Sequence, residues 1–337
     1  AVGVAGHSWG SVLVFSQVAL CVVVRVGGGL FLESLRQMSR LDLGFRTENL
    51  VMASLDLGLQ RYEDQRGRQF LHTLLERTRA LPGVEYATVA VAVPFDYGVR
   101  LEDVGAEGQI SEGGELGKDG YVAVGVNFVE ASYHRTLGVT MLQGREFDAY
   151  DTEKAPRVAI VNQTLAERFW PGLSPIGKRF RFGRGGEYVE VVGLARDGKY
   201  VLLGEQPRPY LYLPLDQQYR SPATLHVRTA GDPMSLVPAL RRVLAELDPS
   251  LPIYNLRTME EHLRQSAMAM MPLRMAAVLS GVQGGLGLLL AMMGIYGVVS
   301  YVANQRTREM GLRVALGARR LDRSEERRVG KECRSRW

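Results

Sequence analysis

The chain has 337 residues, 46% apolar and 23% charged, with 38 Gly, 14 Pro and 2 Cys. At about 150 residues per domain the prior is two domains, and the composition excludes collagen-like, disulfide-framework and wholly disordered classes. The formal net charge of +5 makes no case for nucleic-acid binding, because it is concentrated at one end. Residues 323–337 hold six of the 41 basic and three of the 36 acidic residues, and without them the net charge is +2. That tail has neither a helical nor a strand period. It resembles the in-frame translation of a sequencing adapter and is set aside from fold reasoning. Cys333 lies in it, leaving Cys21 without a disulfide partner.

In chain order the first motif is Gly6-His7-Ser8-Trp9-Gly10, which matches the G-x-S-x-G elbow that exposes a nucleophilic serine after a strand. An α/β-hydrolase built on Ser8 would need an acid and one of His72, His134, His226 or His262 on a parallel sheet. The segment behind Ser8 is instead an apolar block of membrane length, so the hydrolase stands as a remote alternative. Ser11 to Leu32 is that block, 22 residues interrupted only by Arg25. Near the end of a span, a long basic side chain can reach the interface. About 20 residues of helix cross the hydrocarbon, so the block is expected to be a transmembrane helix.

Residues 48–58 alternate as a strand. Phe70, Leu71, Leu74, Leu75, Thr78 and Leu81 mark one helical face that Leu81-Pro82-Gly83 ends, and 84–93 alternate again. A matching unit recurs late: a strand at 224–229, Asp232-Pro233 opening a helix with Leu236, Leu240, Val243, Leu244 and Leu247, and a strand from Ile253. Two strand–helix–strand units at opposite ends are what a split ferredoxin-like α+β lobe requires. Between them, 100–120 read as a Gly- and Glu-rich mobile loop. Short strands follow at 121–127, 157–161, 178–182, 187–194 and 210–214, with a helix near 163–170 and a hairpin turn at Gly183-Arg184-Gly185-Gly186. These read as a second, β-rich lobe inserted into the first.

Met275 to Ala303 is 29 residues without a charge, long enough for a second span. Gly281 and Gly285 stand at the spacing that lets helix backbones approach closely, and are expected to pack on other helices. Arg306, Arg308, Arg313, Arg319 and Arg320 follow against one acid, Glu309, so this end belongs in the cytoplasm and the segment 33–274 outside. Catalytic motifs are lacking. The five histidines are scattered without an HExxH or CxxC pair, there is no phosphate-binding loop, and Asp197 and Asp216 read as solvated turn residues. The histidines and Trp170 read as surface or satisfied core positions. No metal, cofactor or nucleic acid is expected.

Arg306-Thr307-Arg308-Glu309-Met310-Gly311-Leu312-Arg313 resembles the coupling segment of MacB/FtsX-superfamily ABC permeases. The likeness extends over most of residues 11–320. It includes Gln17-Val18-Ala19-Leu20 and Leu30-Phe31-Leu32-Glu33-Ser34-Leu35, then Gly44-Phe45-Arg46-Thr47-Glu48-Asn49-Leu50. Arg135-Thr136-Leu137-Gly138, Gly144-Arg145-Glu146-Phe147, Val161-Asn162, Phe169-Trp170-Pro171 and Gly177-Lys178-Arg179-Phe180 complete it. The chain most resembles one half of a duplicated MacB-like permease.

The resemblance implies an α+β extracytoplasmic MacB-like core domain at 45–270, with lobes at 45–99 plus 220–258 and at 100–219. It would be flanked by transmembrane helices at 11–32 and 275–303. Residues 304–320 would begin an FtsX-like domain in the cytoplasm of a bacterium, under its inner membrane. ATP hydrolysis would occur on a separate ABC ATPase, so the chain itself is not expected to be an enzyme. Arg306, Thr307, Arg308, Glu309, Met310, Gly311 and Arg313 would contact that ATPase. Membrane lipid and other permease helices, or a second permease half, would be further partners. A two-span sensor with an outer ligand-binding domain is the alternative.

Overall fold

The computed structural model describes residues 42–316 apart from 97–98, 110–119 and 184, together with scattered positions between 15 and 33. Two compact units are present, Gln37–Arg274 and one that groups the two apolar ends. In chain order the first contains β1 (Leu50–Asp56), α1 (Asp64–Arg79), β2 (Val84–Ala90), β3 (Arg100–Ala106), β4 (Tyr121–Val129), α2 (Tyr133–Leu137), β5 (Met141–Gly144) and β6 (Val158–Asn162). Then come α3 (Gln163–Phe169), β7 (Arg179–Phe182), β8 (Tyr188–Ala195), β9 (Tyr210–Pro214), β10 (Pro222–Thr229), α4 (Val237–Leu247), β11 (Ile253–Thr258) and α5 (Met259–Gln265). A long helix follows, α6 (Ala267–Ala315).

β1–α1–β2 and β10–α4–β11 interleave into the strand order β11-β1-β10-β2, antiparallel throughout. Each crossover skips one position and a strand of the other unit fills it, which is the arrangement of a split βαβ pair. α1 has Asp64 in its first turn and Arg77 and Arg79 in its last, matching the helix dipole. It stops before Pro82, since a residue preceding proline is driven out of the α region. α4 is reached through a 3₁₀ turn, Pro233–Leu236, where the Asp232 carboxylate accepts the Met234 N–H at 3.0 Å. Leu71, Leu74 and Leu75 of α1 and Leu240 and Leu244 of α4 bury against Val51, Val89, Leu225 and Val227. Each such aliphatic side chain contributes on the order of 1.5–3 kcal/mol. Gly67 lets α1 lie directly on the Tyr219 ring, which a Cβ there would strike.

The remaining strands close on themselves. β4 pairs β3, β3 pairs β7, β7 pairs β8, β8 pairs β6, β6 pairs β9, and β9 returns to β4 in a parallel pair. Alternate residues point into this six-stranded ring, among them Val104, Val126, Phe128, Phe180, Val191 and Leu213. β5 lies outside the ring on β8. The ring joins the split βαβ sheet through one residue pair, Ala90 with Val129. Both apolar clusters draw residues from each part, so the core is continuous.

Three elements were not legible as periodicity. The stretch 100–120, expected to be loop, contains β3, of which only Val104, Gly105 and Ala106 are buried. With Leu101 facing solvent, the alternation that marks a strand is missing. Residues 110–119 of that stretch lie outside the described residues. β5 is four residues with three exposed. α5 opens on a capping pair in which Thr258 Oγ1 accepts the Glu261 N–H at 3.1 Å.

In the second unit, Phe15, Val18, Ala19, Val22, Val23 and Arg25–Gly29 are helical, while the other positions of the 11–32 block lie outside the described residues. Among the described residues one helix is long and apolar enough to cross a membrane, within Arg274–Leu312. α6 itself has 49 residues and, at 1.5 Å per residue, is about 74 Å long. It exceeds the 275–303 expectation at both ends, because residues 267–274 and the polar stretch after Ala303 belong to the same helix.

Candidate functional site

Arg306, Thr307, Arg308, Glu309, Met310 and Gly311 all lie exposed on the last turns of α6, and Arg313 follows on the same helix. A 100° turn per residue gathers Arg306, Glu309, Met310 and Arg313 on one face and sets Arg308 and Gly311 on the other. The segment is therefore two-sided, with Glu309 flanked at i−3 and i+4 by arginines. Thr307 Oγ1 donates to Ala303 O at 2.7 Å, tying the polar end to the apolar stretch. Further back, a Cβ on Gly281 or Gly285 would meet no atom within 4 Å among the described residues, whereas one on Gly27 would come 3.0 Å from Gln283 Oε1. Among the described residues nothing covers the Gly281–Gly285 face, while Gly27 lies against Gln283.

In the Gln37–Arg274 unit the incoming and outgoing segments are clamped. Arg228 of β10 is only 3% exposed. Its guanidinium donates to Thr136 O at 2.6 Å, Glu48 O at 2.7 Å and Arg46 O at 3.0 Å. It therefore fastens the segment leading into β1 to the end of α2 without a carboxylate. Burial and the nearby Arg46 push its pKa below the usual arginine value. At the outgoing end, His262 Nε2 is 2.9 Å from Pro94 O, and Ser266 Oγ donates to Phe95 O at 2.5 Å. α6 begins at the next residue, Ala267.

Other polar clusters are structural. Asp197, expected to be solvated, accepts Asn162 Nδ2 at 2.6 Å and the Thr164 N–H and hydroxyl at 3.0 and 2.8 Å. Asp216 is 3.1 Å from His72 Nε2, a contact that raises the His72 pKa. Trp170 is buried in the core. His134 and His226, expected to be satisfied, are fully buried around Tyr133. Neither ring nitrogen of His134 nor His226 Nε2 has a hydrogen-bond partner among the described residues. Burial alone lowers His134 to about 3, and burial chiefly lowers His226 to about 4. Among the described residues no cluster of three His, Cys, Asp or Glu could hold a metal. Ser8 and His7 lie outside the described residues. Sequence reasoning missed Arg228, because its carbonyl partners lie 92 to 182 positions away.

Residues 11–248 match the family model described as the MacB-like periplasmic core domain. The chain is 25% identical over 323 residues to the macrolide export ATP-binding/permease protein MacB of Bordetella avium (strain 197N), a match covering 92% of this chain and 44% of that protein. It is 24% identical over 202 residues to the uncharacterized ABC transporter permease YknZ of Bacillus subtilis (strain 168), covering 58% of this chain and 49% of that one. Of the solved structures, the periplasmic region of MacB from Actinobacillus actinomycetemcomitans matches with a TM-score of 0.42 and 14% identity, over 63% of this chain and 90% of that chain. The chain spans less than half the length of either curated relative.

Proposed function

The chain belongs to the MacB-like periplasmic core domain family, and from that premise we propose that it is the permease part of an ABC transporter in a bacterial inner membrane. Its outer unit would stand on the extracytoplasmic side. ATP is hydrolysed on a partner ABC ATPase, which docks on the cytoplasmic end of α6 through Arg306, Thr307, Arg308, Glu309, Met310, Gly311 and Arg313. The charged face of Arg306, Glu309 and Arg313 forms charge-assisted hydrogen bonds with the ATPase, and Gly311 allows close approach on the other face. The open Gly281–Gly285 face packs on other permease helices or a second permease half, and lipid covers the rest.

One observation carries this reading. α6 is unbroken from Ala267 to Ala315, and the residue before it, Ser266, is fixed to Phe95. A helix cannot shorten without breaking its i to i−4 bonds, and the proposal is that movement at the basic end passes along α6 to the Gln37–Arg274 unit. Export or mechanical transmission across the membrane is the function proposed for that coupling.

The test is the Glu309→Lys substitution in proteoliposomes holding the chain with its ABC ATPase. The variant inserts normally and loses most of the permease-stimulated ATPase rate, because it sets a third positive charge among Arg306 and Arg313. Unchanged stimulation in the E309K protein refutes the docking assignment.

A further inference from the structure

One mouth of the six-stranded ring holds a cavity of about 240 Å³. Its floor is apolar, with Phe128, Phe182 and Leu213, and its rim carries Arg100, Glu102 and Arg220. β4 and β9 run parallel and β3 runs antiparallel to β4. Phe128, Leu213 and Arg100 therefore come to the same end of the ring. Mouths of closed sheets are preferred ligand sites because the ring fixes the walls while loops supply the polar groups.

Arg220 is unusually placed. Its guanidinium lies over the Phe128 ring, 4.5 Å from the centroid, in a cation–π contact. One terminal nitrogen donates to Tyr219 O at 3.0 Å and the other is 3.4 Å from Gln218 Oε1. Its Nε is buried and has no hydrogen-bond partner among the described residues. No carboxylate among the described residues comes within ion-pair distance of it, whereas Arg100 is engaged by Glu102. A guanidinium matches a carboxylate through its planar fork, and each terminal nitrogen of Arg220 keeps a second N–H that these two bonds do not use.

The three charged rim groups sum to one positive charge. That favours a monoanion over a dianion, which would leave excess negative charge beside Glu102. A volume of about 240 Å³ is below the range of drug-sized pockets and admits a single ring. We propose that this mouth binds a small monoanion bearing one aromatic ring, of the benzoate class, with its carboxylate on Arg220 and its ring against the partly exposed Phe182. The site is independent of the ATPase-coupling reading, since it uses no residue of α6.

The experiment is a titration of the full chain in phosphatidylcholine nanodiscs with 4-fluorobenzoate, followed by ¹⁹F line width. 4-Fluorobenzyl alcohol and 4-fluorobenzylamine run in parallel as neutral and cationic partners of the same shape. The expected result is saturable broadening for the benzoate, at least ten-fold tighter than for either control. The Arg220→Gln variant weakens it ten-fold or more with a melting temperature close to that of the parent. The Arg100→Gln variant is the second arm, because the Arg100 side chain is 56% exposed and its loss leaves the ring intact. Without Arg100 the rim is neutral, and binding weakens about three-fold. Absence of saturation, equal binding of the amine, or affinity unchanged in both R220Q and R100Q overturns the proposal.

Discussion

Replacing Arg228 by methionine tests the clamp that ties the chain leading into β1 to the body of the Gln37–Arg274 unit. Methionine keeps the apolar stem and removes three bonds, to Thr136 O, Glu48 O and Arg46 O. Hydrogen bonds from a charged donor are worth about 1.5–3 kcal/mol each, roughly 4.5–9 in all. The folded protein also ceases to bury a guanidinium, which returns several kcal/mol. The net loss is then about 3 kcal/mol, because the carbonyls left behind are only partly reached by water. In a unit of this size 1 kcal/mol moves the melting temperature by roughly 2–4 °C. Differential scanning of the solubilised chain should therefore show R228M melting about 6–12 °C lower. Arg228→Lys falls between, since a single ammonium cannot span three carbonyls. An R228M protein melting within 2 °C of the parent refutes the claim that this arginine holds the two segments together.

The Gly67→Ala variant gains helix propensity of about 1 kcal/mol, yet is expected to be less stable, by about 1–2 kcal/mol net, because the new methyl meets the buried Tyr219 ring; urea titration showing stabilisation would contradict this packing. His134 and His226 have folded pKa values lowered to about 3 and about 4 from 6.5. Their contribution is complete above pH 6.5 and falls as the unfolded chain takes up protons below it. Denaturant titrations at pH 7.5 and 5.0 should differ by about 2 kcal/mol per histidine. A flat profile would mean that neither ring is dry. The more exposed His72, raised by Asp216, acts in the opposite sense, its smaller contribution present below pH 6.5 and lost as pH rises.

Several features could be read from residue order because their cause is local. The apolar stripe from Phe70 to Thr78 with Pro82 behind it specifies α1, and Asp232-Pro233 opens the turn into α4. The glycines at 183–186 sit between β7 and β8, which pair antiparallel from Arg181 and Tyr188. The charge-free run before Asn304 forms part of one helix. The coupling role proposed for Arg306 to Arg313 rests only on likeness to a family, since an exposed Arg-Glu-Arg face has the same pattern in any stop-transfer helix.

What tertiary structure alone decided is of another kind. A strand such as β3, half exposed on a closed ring, hides too little of itself to leave a period of two. The parallel pairing of β4 with β9 brings together residues about 85 apart, and no local signal encodes which distant strand will be the neighbour. Arg228, Asp197 and His134 looked like ordinary polar positions until the fold surrounded them. Periodicity records the face that each element turns away from water, which is a property of that element. The partner on the far side of that face is chosen by contacts across the whole chain.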